Sequence, residues 1–154
     1  MANTQAVCNS FRTELLTGQH NFGVGFVRAA TTQDVFKGAL YFASATINAS
    51  TAVYTSTGEV GTSGSYTTAV GGLTFGAFNA PAATGAQAYT TPTASWTTGA
   101  GFSAAAFDTI LLHNSSNSNK AVAVYTFGSQ TIVAGTFTLT MPANGAGTGL
   151  VQVN

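Results

Sequence analysis

Charged side chains are scarce in this sequence. Four Lys/Arg and four Asp/Glu account for 5% of the 154 residues, and the net charge is zero. An ordinary soluble domain has about 25% charged residues, and a net charge near zero favours association. We therefore expect a protein that works packed among neighbouring subunits. The few basic residues are scattered along the chain, whereas a phosphate-binding surface needs them clustered, so direct nucleic-acid binding is not expected.

Cysteine and long apolar runs are scarce as well. Cys8 is the only cysteine, so no internal disulfide can form and no zinc cluster is predicted. No apolar run approaches the roughly 18 residues of a membrane span. The first residues, MANTQAVCNS, lack the basic and apolar regions of a secretory signal. We predict a protein made in the cytoplasm, with no membrane partner, no metal and no cofactor.

Patterns typical of β-strands dominate the chain after residue 18. Alternating or β-branched apolar stretches predict strands at 35–43, 51–55, 66–78, 107–113, 121–127, 136–141 and 150–153, with a weaker stretch through Tyr89 and Trp96. The stretches between them that are rich in Ala and Gly, 80–88 and 99–106, are predicted loops. Seven or eight short strands predict one antiparallel β-sandwich domain over residues 1–154, jelly-roll or immunoglobulin-like.

Two of these stretches carry predicted protein contacts. Residues 121–127, AVAVYTF, are apolar on both faces and should form a central strand or line an interface. Residues 127–136 are predicted to form a hairpin loop with an apolar tip at Ile132 and Val133. An exposed apolar tip is a candidate contact; a tip folded back on the core is the alternative.

One helix is predicted, over residues 4–17. Apolar residues recur there at spacings of three and four, at Val7, Cys8, Phe11 and Leu15. Thr4 is the expected N-cap and Gly18 the expected C-terminal stop. A helix this short needs a surface to lie on, either the sandwich or a neighbouring subunit. Its apolar side chains Phe11, Leu15 and Leu16 join Ile132 and Val133 as the predicted protein interface.

The N-terminal stretch also contains the residue types of a thiol-protease site. Cys8, His20 and Asn21 occur in the order of such a constellation. A nucleophilic cysteine needs a base within hydrogen-bond reach, but the helical pattern places Cys8 on the apolar stripe. We therefore predict that Cys8 is a small buried hydrophobe. The four carboxylates are far apart in sequence and predict no acid–base pair, so no catalytic residue is predicted and the protein is not expected to be an enzyme.

Exposed aromatic side chains leave a binding function open. Carbohydrate-binding modules are also β-sandwiches, and such modules stack sugars on aromatic rings. The candidates are Trp96, Tyr41, Tyr54, Tyr66 and Tyr89. Most aromatic residues of a sandwich lie in its core, so burial of Trp96 would count against this hypothesis.

Several blocks resemble a family of small virion proteins of tailed bacteriophages. They are NSFRTELLTGQHNFG, FKGALY, AVYTSTGEVGTSGSY and ILLHNSSNSNKAVAVYTFGSQTIVAGTFTLTMPA. The resemblance spans most of the chain and is weakest over residues 79–106. It departs from the family pattern at Gly38, where that pattern has a larger apolar residue.

This resemblance implies a structural, non-enzymatic role in the virion. The first expectation is a decoration, or cement, protein on the exterior of the head. Its implied partners are the major capsid protein and further copies of this chain. A tail, fibre or baseplate component is the second expectation, and a glycan-binding virion module the third.

Overall fold

The computed structural model describes residues 3–16, 20, 22, 33–68, 71–85 and 87–153. Within these ranges the chain forms one helix, α1, at Asn9–Leu16. The same ranges contain ten strands: β1 Ala6–Val7, β2 Phe36–Phe42, β3 Leu73–Thr74, β4 Ala82–Thr84, β5 Gln87–Thr90, β6 Trp96–Thr97, β7 Phe102–Asn114, β8 Lys120–Gly135, β9 Thr138–Leu139 and β10 Val151–Val153. The protein is a mainly β, sandwich-like single domain, as the strand patterns predicted.

The strands form three antiparallel sheets. The largest has the order β1-β8-β7-β2-β3, and the others have the orders β10-β5-β4 and β6-β9. The long strands β7 and β8 form a hairpin whose turn lies at residues 115–119. Strand β2 pairs along β7 from Phe36 opposite Asn114 to Phe42 opposite Phe107. This three-stranded centre carries most of the core.

The centre of the large sheet is covered on both faces. In β2 the consecutive residues Ala39, Leu40 and Tyr41 are all fully buried, and in β8 the same holds within 1% for residues 121–124. Successive side chains of a strand point to opposite faces, so consecutive burial means that both faces are packed. The prediction of a central strand covered on both faces is therefore confirmed for residues 121–124, whereas residues 125–127 are half-buried.

Gly38 is closely packed between two side chains of the core. A Cβ added there would lie 2.7 Å from Ile110 Cδ1 and 2.7 Å from Phe75 Cε2. The space that a larger residue would need at position 38 is already filled by these two side chains, since interiors leave few voids larger than a water molecule.

The helix is shorter than predicted. It begins at Asn9, and Ala6 and Val7 instead pair with Val124 and Ala123 of β8. Thr4 is not the N-cap, because it lies five residues before the first residue of the helix; its backbone N–H donates to Ile47 O at 3.1 Å. The 4–17 prediction was therefore wrong at its start; tertiary pairing with β8 outweighed a helical apolar pattern. Gly18, the predicted stop, lies outside the described residues.

The chain before β1 is held by a side-chain clamp. Asn3 Nδ2 donates to Phe42 O at 3.2 Å and to Asp108 Oδ1 at 3.0 Å, while Asn3 Oδ1 accepts from Ile47 N at 2.9 Å. A buried polar group without a hydrogen bond is costly. These three bonds therefore anchor the N-terminal segment to β2, to β7 and to the loop at Ile47.

Several predicted strands and loops were wrong. Residues 51–55 form only an isolated bridge from Val53 to Lys120, and the predicted loops over 80–88 and 99–106 contain β4, the start of β5 and the start of β7. Within 66–78 the described strand is β3 alone. Over 136–141 the alternation is confirmed, with Phe137, Leu139 and Met141 packed on the core, yet only Thr138–Leu139 forms ladder bonds.

Candidate interaction surface and buried polar clusters

The predicted apolar tip is part of a strand. Residues 127–136 were expected to form a hairpin loop, but β8 continues through them to Gly135. Ile132 is half-buried and packs against the core, whereas Val133 is 82% exposed. The two adjacent residues therefore face opposite ways, and both alternatives for the tip occur: Ile132 folds onto the core and Val133 points to solvent.

The helix residues of the predicted interface are differently placed. Phe11 is fully buried in the core of its own chain, so it is not available as a surface contact and that assignment is corrected. It meets His20 edge-on at a ring-centroid distance of 4.9 Å. Leu15 is half-buried and packs against the same core. The side chain of Leu16 lies outside the described part of the structure.

A groove runs between α1, β5 and β10. Its volume is about 380 Å³, and its lining is mostly apolar, including Phe11, Leu15, Tyr89 and Val151. The volume falls within the usual range of small-ligand pockets. Phe11 and Leu15 contribute to its wall, so the helix faces its own domain here.

Cys8 is buried, as predicted. It is fully inaccessible and belongs to the hydrophobic core. Its backbone N–H donates to Val122 O at 3.1 Å, directly after β1 has paired with β8. Of its supposed partners, His20 is also buried and Asn21 lies outside the described residues. A thiol with no exposed surface cannot act on a polypeptide substrate, so the geometry gives no support to the protease hypothesis.

His20 belongs to a polar junction at one end of the large sheet. Asn114 Nδ2 lies 3.1 Å from His20 Nδ1 and donates to Asp34 Oδ2 at 2.6 Å. Asn114 Oδ1 accepts from the backbone N–H groups of Ser116 and Asn117, each at 3.1 Å. Asn114 is fully buried. Its amide thus connects the β7–β8 turn to the segment before β2, which is a structural arrangement.

Glu59 is the centre of a second buried cluster. Tyr54 donates to its Oε2 at 2.6 Å, and Tyr66 donates to its Oε1 at 2.7 Å. The Tyr66 oxygen also accepts from Leu40 N at 2.8 Å. Burial, followed by the nearby Glu59 carboxylate, raises the pKa of Tyr66 far above its usual value. Tyr66 is therefore fixed as a neutral donor, which suits a carboxylate that needs hydrogen bonds when taken out of water.

His113 lies next to this cluster. Its ring stacks on Tyr54 at 5.0 Å between centroids, and its Nε2 lies 2.9 Å from Gly71 O. Because a carbonyl only accepts, Nε2 carries the proton, and Nδ1 is buried without a hydrogen-bond partner. Burial is the largest cause of a lowered His113 pKa; Lys37, opposite it on β2, acts in the same direction. The residue is a neutral core histidine.

The aromatic residues proposed to stack sugars are mostly inside. Trp96 is 2% exposed, and its Nε1 donates to Leu73 O at 3.0 Å; Tyr41 and Tyr66 are fully buried. Tyr54 donates a hydrogen bond to Glu59 and stacks on the ring of His113, and Tyr89 is half-buried in the wall of the groove. Trp96 therefore offers no stacking surface, which counts against a glycan-binding module.

Three carboxylates of the described residues lie in separate clusters. Asp34 accepts a hydrogen bond from Asn114, Asp108 accepts from Asn3 and Thr109, and Glu59 accepts from two tyrosines. Within the ranges that the structure describes, no three His, Cys, Asp or Glu side chains converge on a possible metal position, and no helix is long and apolar enough to cross a membrane. The cluster of tyrosines around Glu59 could not be predicted from the sequence, since Glu59 and its partners have no characteristic spacing.

Comparison of the chain with protein-family models, curated proteins and solved structures gives no match. The geometry and chemistry of the chain itself are therefore the basis for a functional proposal, together with the resemblance of its sequence blocks.

Proposed function

We propose that the protein is a structural component of a tailed-bacteriophage virion, most specifically a decoration (cement) protein on the head exterior. It would bind the major capsid protein and copies of itself, and stabilise the shell. The sequence blocks that resemble small virion proteins support this proposal, and so does a sandwich-like fold whose polar clusters tie its own elements together.

The observation that carries the proposal is the scarcity of charge, with one uncharged exposed strand segment. Charged residues make up 5% of the chain. Between Gly128 and Gly135 there is neither a charged residue nor a proline, and Val133 is the most exposed large hydrophobic residue in the described part of the chain. Interface cores are depleted of charged residues relative to other surfaces. Such a surface suits a subunit that is held between neighbours.

Cementing requires binding and no reaction. A subunit that spans neighbouring capsid subunits adds buried interface, and a standard interface buries about 1,600 Å² in total. Anything that binds only the assembled shell stabilises it by mass action, by about 2.7 kcal/mol per site at 100 times the dissociation constant. Because a shell repeats the same site many times, modest affinity per site is sufficient.

The competing hypothesis is a tail, fibre or baseplate component. Such a component shares the fold and composition arguments but occurs in few copies and does not cover the shell. The glycan-binding hypothesis is disfavoured by the burial of Trp96.

Removal and re-addition of the protein test the cementing function. Particles lacking the chain should assemble, but should release DNA at lower temperature and in low salt. Adding back purified protein should restore the wild-type transition. Val35→Lys is a control for adding a surface charge, because Val35 is an exposed valine outside β8. This variant should restore the stability of the particles as fully as the wild-type protein does. Particles whose heat and low-salt resistance is unchanged without the protein would contradict cementing.

A further inference from the structure

The outer edge of β8 is open over much of its length. Strand β1 pairs with it only at Ala123 and Val124, and the Gln5 side chain extends this cover to Thr126. From Phe127 to Gly135 no strand among the described residues lies on the side away from β7. An open edge presents unpaired backbone N–H and C=O groups to any extended chain.

This edge lacks the side chains that usually protect one. Natural edges carry lysine, proline or inward-pointing charges, or are very short. The other edge strand that is fully exposed, β4, has three residues and is protected by its length. Strand β8 has 16 residues, and its outer segment reads FGSQTIVAG, with β-branched residues at its centre and no charge.

Irregularities in the β7–β8 ladder restrict where a new strand could pair. The register shifts three times along the outer part of the ladder, between the successive pairs Thr109–Thr126, Phe107–Gln130, Ala104–Ile132 and Phe102–Gly135. The first and last shifts insert residues into β8, whereas the middle shift inserts a residue into β7. Such bulges bend and twist an edge. Gln130–Ile132 is the part of β8 without an inserted residue, so pairing should be centred there and should be short.

We infer that two copies of this chain associate by antiparallel pairing of their β8 edges about a two-fold axis near Thr131. A second copy is the occupant that the chemistry of this strand favours. An antiparallel pair of identical strands is self-complementary through a two-fold axis, and an uncharged strand on a molecule of zero net charge meets no repulsion from its copy. Main-chain bonds supply the affinity in this mode.

The inference rests on the proposed function only for the idea of self-association, and it can be tested on purified protein. A short paired segment buries less than the standard interface, so we expect a weak, concentration-dependent dimer. Sedimentation velocity over a wide concentration range should show a reversible monomer–dimer equilibrium.

Val133→Lys should weaken this dimer by at least about tenfold, because a lysine on a strand edge is a side chain that hinders pairing with another strand. Val35→Lys is the matched control, an exposed valine far along the chain from β8, and its dimerisation should equal that of the wild type. Far-UV circular dichroism and the thermal transition check that both variants fold.

A second pair of variants locates the contact. Side chains opposite each other in an antiparallel pair have Cβ atoms about 4.5–5.5 Å apart, so Thr131→Cys should give a disulfide-linked dimer under mild oxidation. Thr84→Cys, on the exposed edge of β4, should not. The native Cys8 is fully buried and should not compete.

Two results would overturn the inference: a chain that stays monomeric at every concentration tested, or a dimer that neither Val133→Lys weakens nor Thr131→Cys traps. A monomer that still binds phage heads would remove the edge pairing and leave the proposed function standing. A β8-linked dimer that is absent from phage heads would support the edge pairing and contradict the proposed function.

Discussion

At the scale of single residues, the polar groups of this protein serve its architecture. Glu59 receives hydrogen bonds from Tyr54 and Tyr66, and Asn114 receives two backbone N–H bonds at a turn. Buried polar networks that are satisfied make a fold specific and rigid. Among the residues that the structure describes, the two histidines and the carboxylates Asp34, Glu59 and Asp108 lie in separate structural clusters of this kind.

His113 should make stability depend on pH. Its pKa is lowered in the folded protein, because protonation would place a charge and an N–H without an acceptor in the core. The unfolded chain binds a proton near pH 6.5, and the folded chain does so only at lower pH. The stabilisation is therefore complete above about pH 6.5 and is lost as pH falls below it, by at most about 1.36 kcal/mol per pH unit for one group.

Urea unfolding between pH 7.5 and pH 5 measures this dependence. His113→Gln retains a donor for Gly71 O but cannot titrate, so its stability should fall less steeply than that of the wild type. His20 is present in both proteins and cancels in the comparison. Equal slopes would contradict the assignment of the pH dependence to His113.

The sequence predicted some residue environments and not others. Cys8 was correctly expected in the core, because it lies among apolar residues that need burial wherever the helix starts. Phe11 was expected at an interface but is buried, since apolar character alone does not say which surface covers a side chain. Glu59 and its tyrosine partners, five and seven residues away, could not be predicted, because the irregular turns that bring them together have no characteristic spacing.

At the scale of elements, tertiary pairing determined the boundaries. The strongly patterned strands β2 and β10 were predicted close to their positions, and so was the first half of β8, since both apolar runs and alternation report burial. Ala-rich segments were predicted as loops, yet 102–106 extends β7 because Phe102 and Phe107, both fully buried, hold it on the core. Small residues between two anchoring aromatics take the conformation that the aromatics require.

The close approach of the chain at Gly72 to β2 should be intolerant of any side chain. Gly72 has φ +78°, and an added Cβ would collide with the backbone carbonyl of Gly38. Neither backbone can move without breaking the β2–β3 pairing at Gly38 and Leu73. Gly72→Ala should therefore destabilise the fold by about 2–4 kcal/mol, from backbone strain and overpacking together.

Chemical denaturation of Gly72→Ala beside Gly61→Ala checks this. A Cβ at Gly61 would meet no atom within 4 Å, so that variant should lie within about 0.5 kcal/mol of the wild type. If both substitutions proved equally mild, the tight contact between Gly72 and β2 would be disproved.

At the scale of the whole molecule, low charge and an unprotected strand edge both favour association with neighbouring subunits. A freely diffusing domain gains solubility from charge and protects its sheet edges. This chain has 5% charged residues, and the uncharged segment of β8 beyond Thr126 is exposed. Both features are tolerable for a protein that spends its existence bound to neighbours, and both agree with the proposed role in a phage head.

The copy number of the chain in purified virions tests the central proposal most directly. The proposal predicts that a tailed phage encodes the chain and that quantitative mass spectrometry of that phage's particles finds it in numbers comparable to the major capsid protein. A reconstruction of the particle should then place its density on the outside of the head. A count of only a few copies per particle would contradict decoration and would favour a tail component. Absence from purified particles would contradict a virion role altogether.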